Sequence, residues 1–264
     1  MSATVISVLL IGSLAAGWVD AVVGGGGLIL IPLVMILNPG MSNAQALGVN
    51  KVAAIFGTAS SAAVLVRKAP SATKALRYAP LALAGSAGGA MIASSVDKQI
   101  MRPVIIVLLV AVGVFILFRP SFGQGESSSA TNRASSRTLL GLIALIAAIS
   151  VYDGAFGPGT GLFLILGFTS LLGRDFITSA AWAKVINVFT NLGALVTFAL
   201  QGEVLWLLGL GLAVTNVIGA QIGARMVIGR GAGFVRVVIL VVVVAMSAKL
   251  GYDQFIGTGV GGAG

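Results

Sequence analysis

Apolar runs long enough to cross a lipid hydrocarbon core recur from one end of this chain almost to the other. A core of about 30 Å takes about 20 helical residues at 1.5 Å each. Eight units of that kind run approximately over 4–37, 44–66, 76–96, 101–118, 138–172, 178–200, 204–228 and 233–250, leaving nothing over for a water-soluble domain. Only 9% of the 264 residues are charged and 58% are hydrophobic, whereas an average soluble domain carries about 25% charged residues. The expected class is an all-α integral membrane protein with many crossings.

Composition removes several chemistries. The chain has no Cys and no His, so disulfides and thiolate metal sites are impossible and the commonest general base is missing. No cofactor or metal is expected. The net charge of +9 sits largely in short loops between apolar spans, where basic residues set topology; the partners expected are membrane lipid and a small solute, not nucleic acid. Residues 1–10 carry no Lys or Arg, unlike the start of a cleaved signal peptide, and the first segment is expected to stay.

The polar stretch 119–137, rich in Ser, Gly and Arg, reads as a cytoplasmic linker between a first transmembrane repeat (1–118) and a second (138–250), with a flexible glycine-rich tail at 251–264. The halves resemble each other at a constant offset of 133 residues. The stretch from Gly17 to Gly27 falls on Ser150 to Thr160, Asp20 on Asp153, and Lys51 on Lys184, while the small residues 87–93 line up near 218–224. An ordered series of matches marks an internal duplication, the first thing to look for in a transporter.

The first unit of each half is too long for one simple span. Residues 4–37 as one straight helix would measure about 50 Å, and the glycine runs Gly24–Gly27 and Gly157–Gly161 interrupt the two units at matching places. Non-helical backbone at membrane depth is tolerated where it is buried in protein or lines a cavity. If each broken unit is a re-entrant hairpin, each half crosses three times and the second is inverted relative to the first. Arg67, Lys68, Lys74, Arg77, Arg119, Arg133, Arg137, Arg174, Arg225, Arg230 and Arg236 then share one face against Lys98, Arg102 and Lys249, eleven to three. Single crossings by these units would divide the same charges eight to six. The positive-inside rule favours the hairpins, with both termini outside. The leading legs, 4–23 and 138–153, are longer than a symmetric half-way hairpin needs.

These features, namely Gly17 to Pro32, Tyr152 to Gly161, Asn50-Lys51, and Lys184 with Asn187, resemble the sulfite exporter TauE/SafE family over almost the whole chain. The resemblance implies a multi-pass carrier of the cytoplasmic membrane for sulfite, sulfonates or other small organosulfur anions, and no enzyme.

The residues themselves suggest an anion site. Lys51 and Lys184 lie within apolar helices, where a charge is costly and usually faces a cavity or a partner, although a lysine can also snorkel to the interface. Asp20 and Asp153 could cap their own loops, pair with a lysine, or carry protons. Backbone N–H groups of Gly24, Gly25, Gly26, Gly27, Gly157, Gly159, Thr160 and Gly161 could converge on an anion at two half-helix starts. Asn50, Lys51, Lys184, Asn187 and Asn191 would line the site, the last three sharing one helix face; Thr58, Thr190 and Gln221 are weaker candidates. Gly85, Gly89, Gly219 and Gly223 fit helix packing better. Two other functions compete. An intramembrane aspartyl protease would use Asp20 and Asp153 as a dyad, but the Gly-x-Gly-Asp that accompanies Tyr-Asp in such enzymes is absent. A non-transporting scaffold has only the short loops in its favour.

Overall fold

The computed structural model describes residues 1–94 and 136–255; the fourth apolar unit, the linker as far as residue 135 and the tail beyond 255 lie outside them. Among the described residues every regular element is helical. They are α1 (Ala3–Val23), α2 (Gly27–Leu37), α3 (Asn43–Lys68), a 3-10 segment η1 (Pro70–Tyr78), α4 (Ala79–Ala93), α5 (Ser136–Ala155), α6 (Thr160–Leu172), α7 (Phe176–Leu200) and α8 (Trp206–Phe255). Among the described residues five stretches are long and apolar enough to cross a membrane: α1, α3, α5, α7 and the Trp206–Arg230 part of α8. The protein is a multi-pass helical membrane protein.

The duplication reaches the level of single caps. Ser42 opens α3 with its hydroxyl accepting from the Gln45 N–H, and the Gln45 side chain answers on the Ser42 N–H. At the repeat-related position Asp175 opens α7 by accepting from the Thr178 N–H. Such caps satisfy backbone donors that the first turn leaves free. Both first units are broken where the glycines predict. α1 ends at Gly24, whose φ of 82° is left-handed, and α5 gives way to α6 through Gly157 (φ 87°) and Gly159 (φ 80°), conformations costly for a side-chain-bearing residue.

The seventh and eighth apolar units, separate in the sequence reading, form one helical element of 50 residues, α8. The glycines at 229, 231 and 233 weaken a helix without stopping it, and no proline lies between Trp206 and Phe255. The same element carries helix to Phe255.

Contacts between the halves are exchanged. α1 packs on α8 and its repeat counterpart α5 packs on α4, while α3 and α7 lie against each other. Small residues permit these crossings. A Cβ on Gly219 would fall on the Leu14 carbonyl, one on Gly223 would come within 2.6 Å of the Trp18 carbonyl, and one on Gly89 would meet the Val151 carbonyl. Gly85 lies against Ser150 in the same α4–α5 contact, so all four glycines assigned to packing are packed. Neighbouring helices also show their relative sense. α3 runs alongside α8, with Gly48 beside the Glu203 carbonyl and Gln221 donating to the Ser60 carbonyl at 3.3 Å. α4 runs alongside α7, with Gly193 on Leu83 and Thr197 donating to the Ala87 carbonyl.

Candidate functional site

The two intramembrane lysines are among the largest fully buried side chains, at 1% (Lys51) and 0% (Lys184) exposure. Neither snorkels. Lys51 Nζ on α3 lies 2.6 Å from Asp153 Oδ2 on α5, and Lys184 Nζ on α7 lies 2.7 Å from Asp20 Oδ2 on α1. Each pair joins one half to the other, and shifting either by the repeat offset yields the other. Lys184 also donates to the Asp20 backbone carbonyl. The carboxylates therefore pair with lysines rather than cap their loops; the Gly24 N–H at the end of α1 is taken by the backbone carbonyl of Asp20. With each aspartate held by its own lysine, the two do not form the proton-sharing dyad of an aspartyl protease.

The pairs differ in their surroundings. The Thr160 hydroxyl, at the start of α6, lies 2.7 Å from Asp153 Oδ1, which sits on the leg before its own break. Thr58 on α3 donates to Asp20 Oδ2 at 3.0 Å. The repeat partners of these threonines are Gly27 and Asn191, so neither hydroxyl is duplicated. The Asp153 side chain is 3% exposed and that of Asp20 13%.

The glycine breaks meet one another beside the pairs. The Gly161 N–H donates to the Gly24 carbonyl at 3.0 Å, and a Cβ on either residue would strike the other's backbone. Gly27 faces Pro158, 3.7 Å from the place of its missing Cβ, while Gly26 packs on Asp20 and Ala16. Gly25 has Leu28 against it, and around Gly159 nothing but Phe163 comes within 4 Å. Gly157 lies over the Lys51 amine, with Nζ 3.5 Å from where a Cβ would be. Tyr152 braces this turn by donating to the Pro158 carbonyl at 2.5 Å.

The remaining polar candidates divide. Asn50, Asn187 and Asn191 are buried, and Asn187 Oδ1 accepts from Thr190 at 3.0 Å and from Asn191 at 3.4 Å. Gln221 binds Ser60 and thereby ties α8 to α3, away from the lysines. Sequence reasoning missed Asn216, whose amide donates to the Ser13 carbonyl at 3.1 Å, and the bond from Ser42 to Glu203 at 2.8 Å that links the loops before α3 and α8. A lone polar residue in an apolar helix gives no sign of which neighbour it meets. Among the described residues no group of three His, Cys, Asp or Glu could hold a metal.

A multi-pass helical bundle whose halves are joined at their centre by buried charges, beside broken helices, has the build of a membrane carrier. The profile of the sulfite exporter TauE/SafE family matches residues 9–250, and the chain belongs to that family of membrane transporters. It is 34% identical over 258 residues to the probable membrane transporter protein YfcA of Escherichia coli K12, covering 96% of this chain and 92% of that one. A probable membrane transporter protein of Haemophilus influenzae is 35% identical over 90% of this chain and 91% of its own. The probable membrane transporter protein ORF9 of a Sinorhizobium species is 32% identical over 92% and 90%. No solved structure matches.

Proposed function

We propose that this chain moves a small sulfur-containing oxyanion, sulfite or a sulfonate, across the cytoplasmic membrane by alternating access of two inverted halves. The observation that carries the reading is the crossed pair of buried Lys–Asp contacts, each joining the halves beside a glycine break. The substrate class comes from the family, whose name is that of a sulfite exporter.

The chemistry follows from charge balance. Two ammonium and two carboxylate groups sum to zero, so each carboxylate holds the place on a lysine that an anion would take. An oxyanion replaces it when the carboxylate accepts a proton or turns to its threonine, Thr160 for Asp153 or Thr58 for Asp20. Gly157 leaves the approach to the Lys51 amine open, since it has only a hydrogen where a side chain would stand. Backbone N–H groups at Gly25, Gly26, Gly27 and Gly159 supply further donors, whereas those of Gly24, Gly157, Thr160 and Gly161 are taken by backbone carbonyls. Asn50, Asn187 and Asn191 complete the lining. Because the repeat exchanges the two pairs, opening one while keeping the other defines two states related by the molecule's own symmetry, one facing each side of the membrane.

Inversion is supported by the helix directions. α1 and α3 run in the sense of α8, whereas α5 and α7 run in the sense of α4. Gly48 near the start of α3 lies against Phe198 near the end of α7, so these two run opposite ways, and with them α1 is opposed to α5 and α4 to α8.

The test is transport by purified protein in proteoliposomes, with labelled sulfite, sulfate, thiosulfate, taurine and sulfoacetate offered in turn. Saturable movement of at least one, with the others competing according to their likeness to it, is expected. Failure of folded protein to move any of the five would overturn the substrate class.

A further inference from the structure

A second group of charged and aromatic side chains lies away from the lysines, where η1 of the first half meets the start of α7 in the second. The Arg174 guanidinium lies over the Trp182 ring, 4.3 Å from its centroid, and that of Arg77 over Tyr78 at 4.7 Å. The two rings adjoin with centroids 6.4 Å apart, so the four side chains form one continuous cluster. Trp182 is 1% exposed and Tyr78 7%. Within the cluster the Trp182 Nε1–H, the Tyr78 hydroxyl and the Arg174 Nε–H are buried and have no hydrogen-bond partner.

Buried donors are almost always paired, and an unmade bond is a standing cost. Here that cost is joined by repulsion. Burial lowers the Arg174 pKa from its ordinary value, and Arg77 acts in the same direction against the opposing pull of Asp175 and Tyr78. Asp175 is committed to capping α7 through the Thr178 N–H at 2.9 Å. The cluster holds two cations and three free donors, and what it lacks is an acceptor bearing negative charge.

We infer that Arg77, Tyr78, Arg174 and Trp182 form a second oxyanion site, at the mouth on the arginine-rich face and separate from the central lysines. Its ligand has a tetrahedral or trigonal oxyanion head, sulfate-like or phosphate-like, supplied either as free anion or as the headgroup of an anionic lipid. The donors are enclosed in this structure, so the site is filled as η1 moves away from α7. The cluster is not duplicated by the repeat. At the repeat-related positions stand Leu210, Gly211, Met41 and Val49, none of which can hold an anion.

The experiment uses full-length protein in phosphatidylcholine nanodiscs, with Trp18 and Trp206 changed to Phe so that Trp182 is the sole indole. Titration with sodium sulfate, against sodium chloride at matched ionic strength, should change its emission saturably. Arg77→Gln, at an exposed position that does not threaten folding, should weaken the response about tenfold, as should Arg174→Gln. Lys51→Met/Asp153→Asn, which disables the central site without stranding a buried charge, should leave it. No saturable change would overturn the proposal. So would a response that survives both arginine substitutions, or one lost with Lys51→Met/Asp153→Asn and kept in the arginine variants, since that signal would report the central site. Nanodiscs containing phosphatidylglycerol separate the two sources of ligand. Sulfate affinity unchanged by that lipid supports a free anion. Suppression of the sulfate response, with bound phosphatidylglycerol lost in Arg77→Gln by native mass spectrometry, supports the lipid headgroup at the same site.

Discussion

At the scale of single residues, the question is whether Lys51 and Asp153 are kept for stability or for transport. Taking two charges out of water is expensive, and a buried ion pair often does no better for stability than a well-packed apolar pair. Removing one partner is another matter, because it strands the other. Lys51→Met should destabilise the protein by about 3–5 kcal/mol, or force Asp153 to take up a proton. Lys51→Met/Asp153→Asn removes both charges and should recover most of that loss in thermal unfolding. If the pair is only a strut, transport should recover with it. If Lys51 binds the anion, the double variant should be stable yet bind at least about tenfold more weakly, since a charge-assisted hydrogen bond contributes about 1.5–3 kcal/mol. Recovery of both stability and transport would reduce Lys51 to a structural role. The sequence made all four charged residues legible, because each recurs at the same place in its half. It did not show which aspartate each lysine meets, since an offset reports equivalence and not contact. Nor did it show that Thr58 and Thr160 attend different carboxylates, because neither has a counterpart in the other repeat.

At the scale of elements, the broken first units are hairpins with unequal legs. α1 has 21 residues and α2 has 11, about 31 and 16 Å, and α5 with α6 repeats the inequality at 20 and 13. The sequence-level difficulty, leading legs too long for a symmetric hairpin, is thus a real property of the fold. The long leg is itself long enough to cross the hydrocarbon core, and it packs along another helix, α1 on α8 and α5 on α4. Those crossings rest on small residues, which allows a local test. Gly88 and Gly89 are neighbours on α4, but a Cβ at Gly88 meets nothing within 4 Å whereas one at Gly89 falls on the Val151 carbonyl and within 2.9 Å of the Ala155 N. Gly89→Leu should therefore cost about 1–3 kcal/mol or more through overpacking, lowering folded yield. Gly88→Leu should be nearly neutral by the same assay of monodisperse protein and melting temperature. Equal losses at both would mean that helix propensity, not the α4–α5 crossing, governs this face. Breaks and spans could be read from apolar length and glycine runs; the join of the last two units into α8 could not, because three glycines without a proline are compatible with either a turn or a continuing helix.

At the scale of the whole molecule, the two candidate topologies differ in where the second half's loops emerge. Re-entrant first units put Gln201, after α7, on the face opposite Ser136 and Ser71, and on the same face as Gly40. Single crossings put Gln201 with Ser136 and Ser71 instead. Contacts in the structure already favour the first arrangement. Ser42, just after Gly40, bonds Glu203 at 2.8 Å, and Ser94 bonds Gln201 at 2.6 Å, which gathers the ends of α4 and α7 and the starts of α3 and α8 at one end of the bundle. At the other end Arg77 and Tyr78 meet Arg174 and Trp182, and that end carries the arginine-rich loops which the positive-inside rule assigns to the cytoplasm. The absence of native Cys makes the test direct. Single Cys residues at Ser71, Ser136, Gly40 and Gln201, all exposed, are treated in intact cells with a membrane-impermeant maleimide, and then again after permeabilisation. Gly40→Cys and Gln201→Cys should react at once, and Ser71→Cys and Ser136→Cys only after the membrane is opened. Labelling of Gln201→Cys in the same fraction as Ser136→Cys would make the halves parallel. The two Lys–Asp pairs would then lose the symmetry by which opening one in place of the other turns the site from one side of the membrane to the other.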